Sequence, residues 1–164
     1  MQPYEITAIQ WLRDEIRVYL RARREGKQPP APGDWVGLAW EIGHSLSMMA
    51  AHGIAVNPVI AAVSGKLRLE FLGVQGLMPS DFHRMRLFYL SYFERSALLP
   101  KLRQIPWDRH EVILERCKDP AQQEFYLDLC LKEGLNRDGL LEAIAKQRYE
   151  TSAMSGIGRA DSSV

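Results

Sequence analysis

The stretch PSDFHRMRLFYLSYFER, residues 79–95, decides the fold. Pro79 and Asp81 suit the first turn of a helix, because proline is tolerated there and negative charge complements the helix dipole. Six large apolar side chains then fall on one side of that helix: Phe82, Met85, Phe88, Tyr89, Tyr92 and Phe93. We therefore predict an amphipathic helix that buries its aromatic side, although rings arranged in this way could also stack on nucleobases.

The opposite side of the same helix carries cations and two leucines. The cations are candidate DNA contacts: His83, Arg84, Arg86 and Arg95. Arginine holds phosphates or recognises guanine edges, so we expect Arg84 and Arg86 to contribute most, although an ordinary solvated helix surface would look similar. Leu87 and Leu90 lie outside the aromatic stripe, so they either meet another helix or form an exposed interaction surface.

Apolar residues at helical spacing continue on both sides of residues 79–95. Polar residues that can cap a helix precede several of these segments: Asp34, Asn57 before Pro58, Asp119 before Pro120, and Asn136. No stretch alternates in the manner of a half-buried strand. We therefore predict an all-α fold, a compact multi-helix domain with helix-turn-helix-like units at residues 57–95 and 120–149.

Breaks in this pattern set the expected boundaries. Residues 1–28 form an N-terminal helix or arm, and the proline-rich residues 26–33 form an extended linker. Residues 34–150 form the main helical domain. The composition of residues 151–164 changes to Ser, Gly and Ala, which indicates a flexible, disordered C-terminal tail.

The charge of the chain is unevenly distributed. The formal net charge of +1 over 164 residues gives no bulk electrostatic argument for nucleic acid. Residues 65–103, however, carry seven Lys or Arg against three Asp or Glu, which could form a basic patch. Arg23, Arg24 and Lys27 of the N-terminal arm are further candidates for contacts with the DNA backbone.

The chain lacks a convincing catalytic constellation. Its four histidines are scattered and are best interpreted as surface or capping residues: His44, His52, His83 and His110. An enzyme would need a cleft that joins His44 or His110 to a carboxylate, and no phosphate-binding loop or metal-ligand spacing is present. We therefore expect no catalytic residue, cofactor or metal.

The compartment follows from the cysteines and the hydropathy. Cys117 and Cys130 lie in apolar helical segments and are expected to be buried free thiols, which suits a reducing compartment. No apolar run approaches the roughly 20 residues of a membrane span, and the N-terminus has no apolar signal core. We expect a bacterial-type, cytoplasmic protein with no membrane partner.

Four motifs in series resemble one family. Residues 40–43 (WEIG) resemble the YWEIG helix in the N-terminal domain of the YhcG-like nuclease family. Residues 76–89 (GLMPSDFHRMRLFY) resemble its GFSPRNLxRMRxFY, and residues 105–107 (IPW) resemble its LPW. Residues 118–137 (KDPAQQEFYLDLCLKEGLNR) resemble its KDPxxREFYLxxxxxEGWSR. The resemblance covers roughly residues 35–150 in one consistent order.

The resemblance implies the binding half of a nuclease. In that family this domain usually precedes a PD-(D/E)XK nuclease domain and is regarded as a winged-helix-like or helix-turn-helix-like, DNA-directed module. The match ends before the nuclease region, so the resemblance implies no nuclease activity for this chain. Ser80 and Asp81 stand where the family has Arg-Asn, and Met78 replaces a capping serine, which weakens the DNA interpretation.

Two functions follow as hypotheses. The first is a non-catalytic DNA-binding module related to the targeting half of a nuclease. The alternative is a protein-interaction or oligomerisation module. It would pair with a separately encoded nuclease or regulator, or with itself through Leu87 and Leu90.

Overall fold

Helices make up the secondary structure of the described chain. The computed structural model describes residues 2–31 and 34–161, with the backbone alone for residues 156–161. The α-helices are α1 (Pro3–Arg24), α2 (Trp35–Ala51), α3 (Val56–Glu70), α4 (Pro79–Tyr92), α5 (Leu99–Leu102), α6 (Trp107–Arg116), α7 (Pro120–Glu133), α8 (Arg137–Ala145) and α9 (Arg148–Asp161), and a 3-10 helix, Phe93–Leu98, follows α4. These ranges contain no strand, so the all-α prediction is confirmed and the described chain has no wing.

Side-chain caps fix three of the helix starts. Each of these caps accepts a hydrogen bond from a first-turn backbone N–H: Asp34 from Gly37 at 2.6 Å, Asp119 from Gln122 at 3.0 Å and Asn136 from Gly139 at 2.8 Å. The predicted cap at Asn57 is wrong, because α3 already begins at Val56 after an Ala55 that offers no capping group. Pro58 then occupies the third helical position, where a missing N–H costs no intrahelical hydrogen bond.

The first unit of the chain ends at Leu99 and contains α1 to α4. Within it α2 packs along α4, and α1 packs along α3. Its fully buried side chains include Leu12, Ile16, Tyr19, Leu46, Ile60, Leu67, Phe82 and Phe88. Because α1 contributes three of these, the N-terminal helix belongs to the core of this unit and is not a separate arm.

The second unit begins at Pro100 and contains α6 to α9. Helix α6 packs against α7 and α8, and α9 packs against α7 and α8. Fully buried Ile113, Tyr126, Leu127 and Leu140 form its centre. The Tyr126 hydroxyl accepts a hydrogen bond from the Tyr149 backbone N–H at 3.3 Å, which ties the start of α9 to α7.

The boundaries differ from those expected from sequence. The division after Leu99 falls inside the predicted domain of residues 34–150. The backbone of residues 151–161, which belong to the predicted tail, continues α9. The side chains of residues 151–155 are exposed. Met1, Pro32, Gly33 and residues 162–164, which include parts of the predicted linker and tail, lie outside the described residues.

Candidate functional site

Helix α4 is built as the sequence predicts. Pro79 is its first residue, and the Asp81 carboxylate accepts a hydrogen bond from the Met78 backbone N–H at 2.9 Å. Asp81 thus supplies the half of a capping box that binds the N–H of the capping position, whereas the Met78 side chain offers no good acceptor for the first-turn N–H groups. The buried side of α4 consists of Phe82, Met85, Phe88 and Tyr92. Burial confirms these four as core residues. The prediction is wrong for Phe93, which is 44% exposed because the chain turns into the 3-10 helix there, and Tyr89 is half-buried.

A close helix crossing fixes which side of α4 faces outward. A Cβ atom at Gly43 would lie 2.2 Å from the carbonyl oxygen of Met85 and 2.8 Å from Tyr89 Cβ, so only glycine lets α2 approach α4 so closely. Beside this crossing, the Trp40 ring meets Phe88 and Tyr89 edge-on, with centroid distances of 5.8 and 5.0 Å. These contacts hold α4 in one rotation about its axis.

The α4 arginines are largely engaged within the protein. Arg84 Nη1 lies 3.4 Å from Asp81 Oδ1, and its side chain is 38% exposed. Arg95 donates a hydrogen bond to the Ser91 carbonyl at 2.9 Å and lies over the Tyr92 ring at 5.0 Å. Arg86 is half-buried, and its Nε atom is buried without a hydrogen-bond partner in the described part of the chain.

Arg86 faces the connection between α2 and α3. It lines an open cleft of about 520 Å³ together with Gly53, Ile54 and the first residues of α3. The arginine is therefore directed along the protein surface toward this connection. Of the four predicted DNA contacts on α4, His83 is exposed, whereas Arg84, Arg86 and Arg95 are only partly exposed.

The exposed side of α4 is instead a mixed stripe. His83, Leu87, Leu90 and Glu94 are all exposed, with Leu87 at 45% and Leu90 at 43%. Their spacing of i, i+4, i+7 and i+11 places them along one line of the helix and its 3-10 continuation. We call these four residues the α4 outer stripe. Both leucines are exposed, so neither is buried against another helix among the described residues.

The N-terminal cations lie where α1 and α3 end side by side. Arg23 Nη1 lies 3.5 Å from the Tyr19 hydroxyl, and the Arg24 guanidinium lies 5.1 Å from the centre of the Phe71 ring. Lys27 Nζ pairs with Glu25 Oε2 at 2.7 Å, and both side chains are largely exposed. Of the three predicted contacts, only Arg23 and Arg24 have no carboxylate within ion-pair distance among the described residues.

Glu70 at the end of α3 binds two other arginines of α1. Its carboxylate accepts 2.8 Å hydrogen bonds from Arg17 Nε and Arg21 Nη2. Partial desolvation raises the pKa of Glu70, but these two hydrogen bonds outweigh it and hold the pKa below its ordinary value. Glu70 is therefore occupied by Arg17 and Arg21, and Arg23 and Arg24 form no ion pair among the described residues. The neighbouring Glu25 offsets part of the Arg24 charge.

An apolar cleft opens beside Arg23 and Arg24. It has a volume of about 690 Å³ and is lined by Leu20, Trp35, Phe71, Leu72 and Val74 together with the two arginines, Glu70 and Gln75. We call it the α1–α3 cleft. Sequence analysis missed it because its walls come from three separate segments. The one signal of the cleft in the sequence was the apolar run around Phe71, but such a run is also typical of the end of a helix.

The second helix-turn-helix-like unit is scaffold. Helix α7 ends at Gly134, whose φ of 61° is the left-handed conformation that favours glycine, and Asn136 caps α8. Leu127, Cys130 and Leu140 are buried. The tight turn therefore serves to pack α7 and α8 within the second unit.

His110 corrects the histidine prediction. Whereas His44, His52 and His83 are exposed, His110 is fully buried, and its Nε2 lies 2.8 Å from the Leu102 carbonyl oxygen. Burial outweighs the neighbouring carbonyl groups and lowers the pKa of His110 to about 4. A neutral imidazole hydrogen-bonded to backbone is a structural group, and it faces no cleft that contains a carboxylate among the described pockets.

The cysteines behave as predicted. Cys117 and Cys130 are buried free thiols, and burial raises the pKa of each to about 11. Among the described residues no group of three or more His, Cys, Asp or Glu side chains could hold a metal ion. Within the same residues, no helix combines the length and apolar character needed to cross a membrane.

The comparisons with known proteins agree with the motifs. No curated protein and no solved structure gives a significant match to the chain. A family model described as the DUF1016 N-terminal domain matches residues 15–151, which include all four motif segments. The chain therefore belongs to the DUF1016 N-terminal domain family, the N-terminal region of the YhcG-like nucleases.

Proposed function

We propose that this domain is a non-catalytic protein-interaction module that self-associates through the α4 outer stripe. The observation that carries the proposal is the exposure of Leu87 and Leu90 at the centre of a stripe that ends in His83 and Glu94. Exposed apolar side chains flanked by polar residues are typical of protein-binding surfaces.

The α4 outer stripe is complementary to the same stripe of a second copy in antiparallel orientation. Its midpoint lies between Leu87 and Leu90, and His83 and Glu94 are equally far from that midpoint in sequence. A second copy related by a two-fold axis would bring Leu87 against Leu90, and His83 against Glu94. Two-fold symmetry makes each contact occur twice. The leucines would supply the affinity, and the pairs of His83 with Glu94 would set the antiparallel direction.

Sedimentation equilibrium tests this proposal over concentrations from about 10 µM to about 1 mM. We expect a reversible dimer, and we expect Leu87→Asp/Leu90→Asp to be monomeric throughout. Leu69→Asp is the matched control, because Leu69 is 80% exposed on α3 and lies outside the stripe. A wild-type chain that stays monomeric, or a dimer that survives the double substitution, would exclude the stripe.

A charge exchange tests the antiparallel direction. We expect His83→Glu alone to weaken the dimer, because it places like charges opposite each other. Glu94→Lys alone should weaken it, because it removes the carboxylate that faces His83 of the second copy. The combined variant should restore association toward the wild-type level. If each single substitution has no effect, or if the combination is weaker than both, the antiparallel arrangement is wrong.

DNA binding is the second candidate function. It is favoured by partly exposed Arg84 beside exposed His83 on α4, and by exposed Arg23 and Arg24 on α1, which form no ion pair among the described residues. It ranks second because Arg95 is hydrogen-bonded to its own helix, Arg86 lies along the protein surface, and the middle of the stripe is apolar. Leucine side chains gain nothing from contact with phosphates.

Titration of duplex DNA at low and moderate salt tests this candidate. We expect affinity to fall steeply with salt if a handful of phosphates are neutralised, and to fall further in Arg84→Ala/Arg86→Ala. Lys132→Ala, on exposed surface of the second unit, is the control. Absence of binding at low salt, or equal binding by the double variant, would remove DNA binding as a function of α4.

A further inference from the structure

We propose that the α1–α3 cleft binds a short acidic peptide segment that inserts one aromatic or branched aliphatic side chain. The floor of the cleft is apolar, because Leu20 and Phe71 are buried beneath it and Trp35 is half-buried at its edge. Its volume of about 690 Å³ lies within the roughly 300–1,000 Å³ of pockets that enclose a ligand group.

An exposed apolar ridge borders the floor. Leu72 is 83% exposed and Val74 is 40% exposed, and both line the cleft. Gly73 between them has a φ of 81°, a conformation that glycine adopts without strain, and the turn it makes carries the ridge. Such exposure of neighbouring aliphatic side chains is costly in water and marks a surface that is covered by a partner.

The rim of the cleft is positive. Arg23 and Arg24 line it and have no carboxylate within ion-pair distance in the described ranges, whereas Glu70 is occupied by Arg17 and Arg21. The ends of α1 and α3 each contribute only about half a negative charge, so the full charges of the two arginines prevail. Charge complementarity therefore selects an acidic partner.

The shape of the α1–α3 cleft favours a peptide over other anionic partners. The floor is recessed, so it accepts a single side chain that projects from an extended backbone. A DNA backbone carries no apolar group that could fill it. A lipid surface would contact the Leu72 ridge but would leave the recessed rings of Trp35 and Phe71 unfilled.

Peptide selection tests the proposal with the full chain. A phage-displayed library of random dodecapeptides is panned on the wild-type protein after counter-selection on the variant Arg24→Glu/Leu72→Asp. We expect enriched sequences in which acidic residues flank an aromatic or branched aliphatic residue. A lack of enrichment over the variant, or enrichment of basic sequences, would overturn the proposal.

The best enriched peptide is then labelled with fluorescein and measured by fluorescence anisotropy. We expect at least tenfold weaker binding by Arg24→Glu/Leu72→Asp and unchanged binding by Leu131→Asp/Arg137→Glu. The latter is a matched pair of exposed positions in the second unit. Affinity should also fall as salt is raised. Equal binding by the cleft variant would overturn the assignment.

Three further measurements separate this site from the alternatives. Circular dichroism verifies that the cleft variant is folded. Binding to phosphatidylserine vesicles or to duplex DNA that the same variant abolishes, without peptide binding, would overturn the peptide assignment in favour of those partners. Leu87→Asp/Leu90→Asp should bind the peptide normally, so failure of the dimer proposal and failure of the cleft proposal are distinguishable.

Discussion

Replacing Gly43 by alanine should destabilise the first unit by about 2 kcal/mol. The new Cβ atom would lie 2.2 Å from the Met85 carbonyl oxygen and 2.9 Å from its carbonyl carbon, whereas ordinary contact begins near 3.4 Å. The obstacle is helix backbone, which has no alternative rotamer. Helices α2 and α4 must therefore separate, at the expense of the packing of Trp40 against Phe88 and Tyr89.

The magnitude is a difference between two opposing effects. Overpacking a core costs about 1–3 kcal/mol, and a clash with backbone belongs at the upper end of that range. Alanine in place of glycine inside a helix recovers about 1 kcal/mol. Gly65→Ala isolates the second effect, because a Cβ there meets nothing within 4 Å and the position is exposed inside α3.

Urea denaturation followed by circular dichroism compares the two variants with the wild type. We expect Gly65→Ala to raise the free energy of unfolding by roughly 0.5–1 kcal/mol and Gly43→Ala to lower it. The difference between the two alanine variants then reports the helix crossing alone. If Gly43→Ala proves as stable as Gly65→Ala, α2 and α4 do not approach as closely as described, and the orientation of the α4 outer stripe would lose its support.

Two further predictions concern buried titratable groups of the second unit. Because His110 titrates near pH 4 when folded but near 6.5 when unfolded, the unfolded chain binds the extra proton, and stability should fall by about 3 kcal/mol as pH decreases through that window. His110→Gln should lose this pH dependence in equilibrium unfolding curves, and an unchanged slope would contradict it. Cys117 and Cys130, with pKa values raised to about 11, should react with a thiol reagent at pH 8 only after denaturation. Rapid labelling of the native protein would show that they are accessible.

Local chemistry explains why α4 was predictable. Its start depends on Pro79 and Asp81, and its buried side follows from a repeat of aromatic residues, so both signals lie within the helix itself. The caps at Asp34, Asp119 and Asn136 were predictable for the same reason. Each depends on one side chain and the three residues after it.

Tertiary arrangement explains what the sequence left open. The contacts and exposure of the α4 arginines depend on neighbouring residues that the periodicity of the sequence does not specify. Arg95 turns back to the Ser91 carbonyl because the chain leaves helical geometry there, with φ of −116° and ψ of 41°. His110 is buried by a segment that precedes its helix, which its polar neighbours in sequence do not indicate. The α1–α3 cleft is formed by residues 20–24, Trp35 and residues 70–75, and no local sequence pattern predicts that these three segments meet.

The four residues of the α4 outer stripe supply only part of the free energy that a stable dimer needs. Full burial of a leucine contributes about 1.5–3 kcal/mol, so covering the exposed halves of Leu87 and Leu90 gives roughly 1 kcal/mol each, and a two-fold axis doubles that sum to about 4 kcal/mol. Rim pairs between His83 and Glu94 add at most about 1 kcal/mol each. Association itself costs at least about 4 kcal/mol, so at most about 2 kcal/mol remains, and the stripe alone supports a dissociation constant of about 30 mM at best. A dimer within the tested range of about 10 µM to about 1 mM therefore requires surface beyond these four residues, and half-exposed Phe93 is the nearest candidate, since it continues the apolar side of the helix end.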